Sequence, residues 1–361
     1  MWDQFVKIVV YFGMPVVTAY HLVTGNIFIN TAAQDAAGLE KAGNMILTPV
    51  HYLLSGKIAV NQQGKYVLKQ QFDYNRDLAL KSTVSVISAP LSLPIGCLVK
   101  GLAYLSKETQ ERHQKIKLAA DSREVHPNTE LYKQLGLPVT TTLDAPEELP
   151  QHVRRPGEEN KLAVEKALLK EMVRIFNENQ IPFWLDCGTC LGAHRYGGTI
   201  PWDKDVDVAI LMPDFHNALN ALKQLDPEKY QVQDWSNRCH PETYIRVLIK
   251  ENRNHIDVYH YNIDPEKKTL TYFVSFMDSN FMTTGWKTYE SRFTNPTAYE
   301  TIFPLRRVQF DGIEVCVPNK TKLYLQERYG QDIGPIKIYN EATGEYEKDL
   351  SHPYWKRSHV Y

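Results

Sequence analysis

Residues 183–211 read FWLDCGTCLGAHRYGGTIPWDKDVDVAIL, and this stretch decides the fold. Its approach, Ile181 to Leu185, is a short apolar run with the character of a buried strand. A small-residue turn at Gly188-Thr189 leads into Leu191-Gly192-Ala193-His194-Arg195, and a Gly-Gly-Thr turn at 197–199 followed by Pro201 breaks the chain again. From Asp203 to Ile210 polar and apolar residues alternate. Alternation with period two marks a half-buried strand, which places Asp205 and Asp207 on one face and Val206, Val208 and Ile210 on the other. Two carboxylates at i and i+2 cannot both be buried unpaired, because each carries a large desolvation cost. A hard divalent cation removes the conflict. Mg²⁺ (or Mn²⁺) prefers oxygen ligands and commonly uses one or two carboxylates plus substrate phosphates.

The neighbouring residues extend the pattern. Upstream, KLAVEKALLKEMVRIFNENQ at 161–180 predicts a helix: Val164, Leu168, Met172 and Ile175 recur at helical spacing, and Leu169, Val173 and Phe176 widen the stripe. Asn179 and Pro182 mark its end. Downstream, Pro213–Leu225 predicts a helix, and Tyr230–Trp235, Thr243–Lys250 and His255–Ile263 predict strands. In the last of these Asp257 and Tyr259 face away from Ile256 and Val258, so a third carboxylate lies on a strand near the first two; an ordinary surface aspartate is the plainer alternative. Backbone N–H groups at Gly188 and Thr189, opening a short helix, can cradle a phosphate. Arg195, Lys204 and Arg246 are the cationic candidates to face it; the first two read equally as solvated charges, whereas Arg246, inside an apolar strand, needs an anionic partner.

Gly-Thr-x-Leu-Gly followed by Ile-Pro-Trp-Asp-x-Asp-x-Asp resembles the LicD/fukutin family, a branch of the nucleotidyltransferase superfamily. The resemblance covers roughly residues 160–361 and extends to FPLRRVQFDGIEVCVPNKTKLYLQERYG at 303–330 and to Trp355-Lys356-Arg357. It implies an α/β (α+β) fold with a nucleotidyltransferase-like mixed sheet flanked by helices. It implies Asp205, Asp207 and Asp257 as catalytic carboxylates, the first two as metal ligands. It also implies a phosphotransferase that moves phosphocholine or an alditol or sugar phosphate from a CDP-activated donor onto a glycan or glycolipid hydroxyl. A nucleotidyltransferase that leaves the nucleotide on its product uses the same three carboxylates. Cys187-Gly-Thr-Cys190 keeps a third reading open, a thiol–disulfide oxidoreductase.

Composition sets the outer limits. The chain has 361 residues, 43% of them hydrophobic, with a net charge of −1, so it lacks the basic footprint of a nucleic-acid binder. Its 21 tyrosines and 6 tryptophans suit sugar or nucleotide surfaces, and an aromatic core equally. Five scattered cysteines form no disulfide framework.

The expected organisation is a mostly helical region at 1–120, an extended linker at 121–158 rich in proline and glutamate, and a catalytic domain at 159–361. Two segments raise membrane contact. Residues 5–24 are apolar but contain Lys7, Gly13, Pro15 and His21; residues 84–105 begin with an uncharged run between Lys81 and Lys100. Pro90 and Pro94 predict an interrupted, re-entrant hairpin in the second, or a buried hairpin in a soluble domain. Lysine at both ends places it on the cytoplasmic face of a membrane, with the Golgi or ER lumen as the alternative compartment.

Overall fold

The computed structural model describes residues 38–47, 49–50, 57–62, 65–70, 76–139, 142–144, 150, 152–235, 242–274, 287–288 and 290–356; the apolar segment 5–24 lies outside them. The chain divides into two compact units, one dominated by residues 1–122 and the other by Arg123–Gln233, Tyr244–Ser275 and Thr284–Tyr361.

The first unit contains helix α1 (Gly38–Ile46), an antiparallel hairpin of β1 (Lys57–Gln62) and β2 (Lys65–Gln70), and helices α2 (Arg76–Ala103) and α3 (Lys107–Asp121). The expected hairpin across 84–105 does not form, because α2 runs unbroken through Pro90 and Pro94. A proline removes its own N–H bond but holds φ near the helical value. Ser88 Oγ hydrogen-bonds back to the Val84 carbonyl at 2.7 Å within the same stretch. The apolar side chains of α2 point outward: Ile87, Leu91 and Leu98 are 73%, 68% and 65% exposed. Helix α3 is tied to α1 through the buried Glu40, which pairs with Arg112 and accepts from His113 Nε2 at 2.8 Å.

The second unit is a mixed α/β body. Its parts are α4 (Thr129–Gln134), β3 (Thr142–Asp144), α5 (Ala163–Glu178), β4 (Phe183–Leu185), α6 (Cys187–Tyr196), β5 (Val206–Leu211), α7 (Phe215–Ala221), β6 (Tyr230–Asp234), β7 (Ile245–Ile249), β8 (His255–Asp264), β9 (Thr269–Tyr272), β10 (Thr297–Ala298), β11 (Leu305–Phe310), β12 (Ile313–Val317), α8 (Thr321–Tyr329), β13 (Lys337–Asn340) and β14 (Glu345–Lys348). Seven strands make the main sheet, in the order β10-β9-β8-β5-β4, with β7 also on β8 and β6 on β7. β5 and β8 are parallel, whereas β4, β7 and β9 pair antiparallel. A smaller sheet joins β12, β11 and β3.

The expected strand and helix positions around residues 163–264 are those observed, to within a few residues at the ends. The predicted stripe of α5 faces inward: Leu168, Leu169, Met172, Ile175 and Phe176 are fully buried. Trp184 of β4 fills the centre, its ring 5.1 Å from Tyr261 and 5.7 Å from Phe303. Burying side chains of this size contributes about 1.5–3 kcal/mol each, which is why the sheet order follows the apolar pattern.

The linker reading of 121–158 does not describe its first part. Tyr132, Leu137 and Val139 are buried in the core of this unit. Tyr132 Oη donates to Asp214 Oδ2 at 2.5 Å, and Asn128 Nδ2 donates to Asp214 Oδ1 at 2.7 Å. Asn217 exchanges two bonds with the His126 backbone. Proline and glutamate made the stretch look extended, but three spaced apolar side chains and one buried carboxylate suffice to dock it.

Candidate active site

The site is built where β5, β8 and the head of α6 meet. In the parallel β5–β8 ladder Asp207 is the register partner of Asp257, so both side chains leave the sheet on one face. Across the antiparallel β7–β8 ladder Asp257 is opposite Arg246. Asp205 sits in the residue just before β5, and Asp203 two residues earlier, in the loop that enters the strand.

The head of α6 is stitched to β5. Asp186 caps the helix, accepting from the Cys187 N–H at 2.7 Å. The Asp186 N–H donates to the Asp207 carbonyl at 3.1 Å, and the Asp207 N–H donates to Thr189 Oγ1 at 2.8 Å. Thr189 thus fixes the backbone of the acidic strand. Cys187 takes a left-handed φ of 46°, a strained conformation that the surrounding bonds hold in place. Gly188 lies against the acidic loop: a Cβ there would sit 3.0 Å from Asp203 Oδ2.

Electrostatics separate the carboxylates into two kinds. Burial, then the Asp205 charge, pushes Asp203 up to about 7. Asp205, although exposed at the strand mouth, is raised by the crowding of nearby protein atoms and then by Asp257. Asp207 is raised well above the usual range by burial, then by Asp205, Asp257 and Asp203. These three have negative neighbours and too few cations. Asp257 is the other kind: Arg246 Nε and Nη2 donate to its two oxygens, each at 2.7 Å. Tyr259 Oη donates to Asp257 Oδ2 at 3.3 Å. A bidentate guanidinium neutralises a carboxylate, so Asp257 has a close cationic partner that the other three lack.

The expected cations are placed differently from one another. Arg246 has its anionic partner, which is Asp257 rather than a ligand. Arg195 is buried and donates from Nε to the Ile333 carbonyl at 2.5 Å and from Nη2 to the Gly334 carbonyl. Burial lowers it to about 10. It fastens the 333–334 segment and does not belong with the phosphate-facing groups. Lys204 is exposed beside the acidic loop, and its N–H donates to Asp203 Oδ1 at 3.1 Å.

The donor set bears on a metal. Among the described residues no three or more His, Cys, Asp or Glu side chains converge as a ready cage. What the site has is a crowd of oxygen-only donors whose mutual repulsion a cation would relieve. That suits Mg²⁺ or Mn²⁺, which accept few protein ligands and complete their shell with water and substrate oxygens. Asp205 and Asp207 fit that role, with Asp203 beside them. Asp203 was present in the sequence as the first member of Asp-Lys-Asp-Val-Asp, but its place before the strand hid its share in the cluster.

The two cysteines carry no redox signal. Cys187 and Cys190 are free, and burial followed by the Asp186 charge pushes both thiols well up. A reactive dithiol needs the opposite shift.

Comparison with known proteins bears on the same stretch of chain. Residues 180–320 match the family model described as LicD/FKTN/FKRP, nucleotidyltransferase domain. An uncharacterized protein of Rickettsia typhi is 29% identical over 155 residues, 42% of this chain and 40% of its own length. The ribitol-5-phosphate transferase FKTN of Mus musculus is 44% identical over 50 residues, 14% of this chain and 11% of its own. The ribitol 5-phosphate transferase FKRP of Mus musculus is 27% identical over 168 residues, 45% of this chain and 30% of its own. The matched region therefore spans about half of these curated relatives or less. The Vibrio cholerae DncV cyclic AMP-GMP synthase aligns over 52% of this chain and 56% of that chain at 12% identity, with a TM-score of 0.17 too low to carry an argument. The acidic strand and the capped helix that holds it both lie within residues 180–320, the stretch that matches the LicD/FKTN/FKRP nucleotidyltransferase domain.

Proposed function

We propose that this protein is a metal-dependent transferase that moves a phosphocholine, alditol phosphate or sugar phosphate group from a CDP-activated donor onto a hydroxyl of a glycan or glycolipid. The observation that carries the reading is the cluster of Asp203, Asp205 and Asp207, short of cations and bonded through Asp207 to the capped helix. Relatives named ribitol-5-phosphate transferases support the reaction class.

Phosphoryl-type transfer asks a protein for positioning and for charge over the oxygens that become negative. Asp205 and Asp207 would hold Mg²⁺, which when bound supplies positive charge to the pyrophosphate of the donor. Gly188 and Thr189 present the first turn of α6 to phosphate oxygens, where the backbone dipole favours an anion. Thr189 holds Asp207, so the helix head and the acidic strand keep a fixed spacing. The Arg246–Asp257 pair braces β7 against β8 beside the cluster. Preorganisation of this kind contributes to rate because nothing has to rearrange during reaction.

The test is incubation of the full chain with CDP-activated donors, a glycan acceptor and Mg²⁺, read by the mass of the acceptor. Gain of an alditol-phosphate or phosphocholine mass supports transfer; gain of a nucleotide shifts the reading to a nucleotidyltransferase. Full turnover in EDTA removes the metal from the proposal.

A second reading concerns place. Thr83–Ala103 of α2 is the one helix among the described residues long and apolar enough to cross a membrane, and its large side chains are exposed. We propose that α2 attaches the protein to a membrane, at the cytoplasmic face or in a Golgi or ER lumen, near a lipid-linked or surface glycan. Each apolar side chain taken into lipid contributes about 1.5–3 kcal/mol, so several suffice for stable attachment.

A further inference from the structure

One buried charge in the second unit has no role in the mechanism above. Arg328 of α8 is 5% exposed. Its Nη2 donates to Tyr261 Oη. Tyr261 Oη donates to Asp186 Oδ2 at 3.0 Å, Tyr324 Oη donates to Asp186 Oδ1, and the two phenol oxygens are 2.7 Å apart. The guanidinium is enclosed by rings: its carbon lies 4.4 Å from the centroid of Tyr324, 5.2 Å from Phe293, 5.3 Å from Tyr261 and 5.5 Å from Tyr272. Nε and Nη1 have no hydrogen-bond partner among the described residues, and neither reaches solvent.

Aromatic faces attract a cation but accept its hydrogen bonds poorly. Two unmade bonds on a buried guanidinium are costly, more so than on a neutral group. Asp186 does not relieve the cost, because Arg328 reaches it only through Tyr261, and its oxygens already serve the Cys187 N–H and the two phenols. Unsatisfied buried donors of this kind call for an acceptor that the chain itself does not supply, such as an ion, a water or a ligand. Through Tyr261 the guanidinium is linked to Asp186, the N-cap of α6, so Arg328 lies beside the head of that ten-residue helix.

We propose that Arg328 and the N-terminus of α6 form one anion subsite that takes the phosphate oxygens of the donor, with the guanidinium donating from Nε or Nη1 once an oxygen is present. This rests on the donor reading above and adds to it a residue far along the chain. The helix head supplies backbone N–H groups and a partial positive charge; Arg328 supplies the full charge and the directed donors that the helix lacks. The rings of Tyr261, Tyr324, Tyr272 and Phe293 exclude water, so a bond made there is not shared with solvent.

The test is calorimetric binding of CDP, inorganic pyrophosphate and cytidine to the full chain in Mg²⁺, comparing the wild type with Arg328→Lys and Arg328→Met. Charge-assisted bonds to phosphate predict CDP and pyrophosphate affinities about ten- to a hundredfold weaker in Arg328→Met and several-fold weaker in Arg328→Lys, with cytidine unchanged. Arg328→Lys keeps a charge in the cage, so it decides the matter if the methionine variant does not fold. Unchanged CDP and pyrophosphate affinity in Arg328→Lys overturns the subsite, as does an equal loss for cytidine, which would mark Arg328 as purely structural. Wild-type binding of pyrophosphate without CDP would sink the donor reading and leave the anion subsite standing. Binding of neither would overturn the subsite itself.

Discussion

Replacing Asp257 by asparagine separates bracing from catalysis. Asp257 is 4% exposed and holds Arg246 by two bonds of 2.7 Å, with the arginine side chain 12% exposed. The substituted amide would keep the shape but lose the charge, leaving a buried guanidinium with one good acceptor in place of two. Breaking a buried pair by removing one partner costs about 3–5 kcal/mol. In a domain of a couple of hundred residues each kcal/mol moves the midpoint by about 2–4 °C, so a fall of roughly 10 °C is expected. Replacing the partner as well, Arg246→Met with Asp257→Asn, removes the stranded charge and should recover a large part of that loss. The assay is calorimetric melting of the wild type, both single variants and the double variant, in the same buffer without divalent ions. If Asp257→Asn melts like the wild type yet abolishes transfer, Asp257 acts in the chemistry and the brace is wrong.

Asp205→Ala or Asp207→Ala should abolish transfer without lowering the melting temperature of the metal-free protein, because each substitution relieves repulsion within the cluster; a large fall in melting temperature would refute the crowding argument. Asp203 is held up near 7, above its unfolded value, so between about pH 4 and pH 7 the folded chain binds the extra proton and stability falls as pH rises. Asp203→Asn should flatten that slope, and an identical pH profile in the variant would count against it. Gly198→Ala should unfold the approach to the site, since a Cβ would collide with Asp311 Oδ1, on a carboxylate already fixed by Arg154, Lys166 and the Thr199 N–H; a soluble variant with wild-type melting would show that the turn yields. Flotation with liposomes tests α2: full-length protein that stays monodisperse and unbound without detergent removes the membrane reading.

The main sheet was legible because its signals are local. Alternation from Asp203 to Ile210 and the stripe of α5 each need one element to be read, and both were placed to within a few residues. The site was legible in its carboxylates for the same reason. Its cations were not, because what an arginine does depends on residues it meets from elsewhere in the chain. Arg195 is spent on the carbonyls of 333–334, and Arg246 on Asp257. No spacing rule contains those pairings. The docked segment at 123–139 was hidden in the same way, since Tyr132 becomes a core residue only when Asp214, 82 positions away, accepts its hydroxyl.

This division of labour also explains why Gly188 is legible in the sequence and Arg328 is not. Gly188 announces itself by a small-residue turn between an apolar strand and an acidic one. Arg328 stands in an ordinary helix, among the residues YLQERYG, and looks like a solvated charge. Its burial comes from Tyr261 of β8 and Tyr272 of β9 closing over it, and its direction from the phenols that lead to Asp186. In the proposed subsite two segments more than a hundred residues apart, the head of α6 and Arg328 of α8, meet on one anion, linked to each other through Tyr261 and Asp186. A site with negative groups awaiting a metal on one side and unmet donors awaiting oxygens on the other is complementary to a metal-bound pyrophosphate, which carries both.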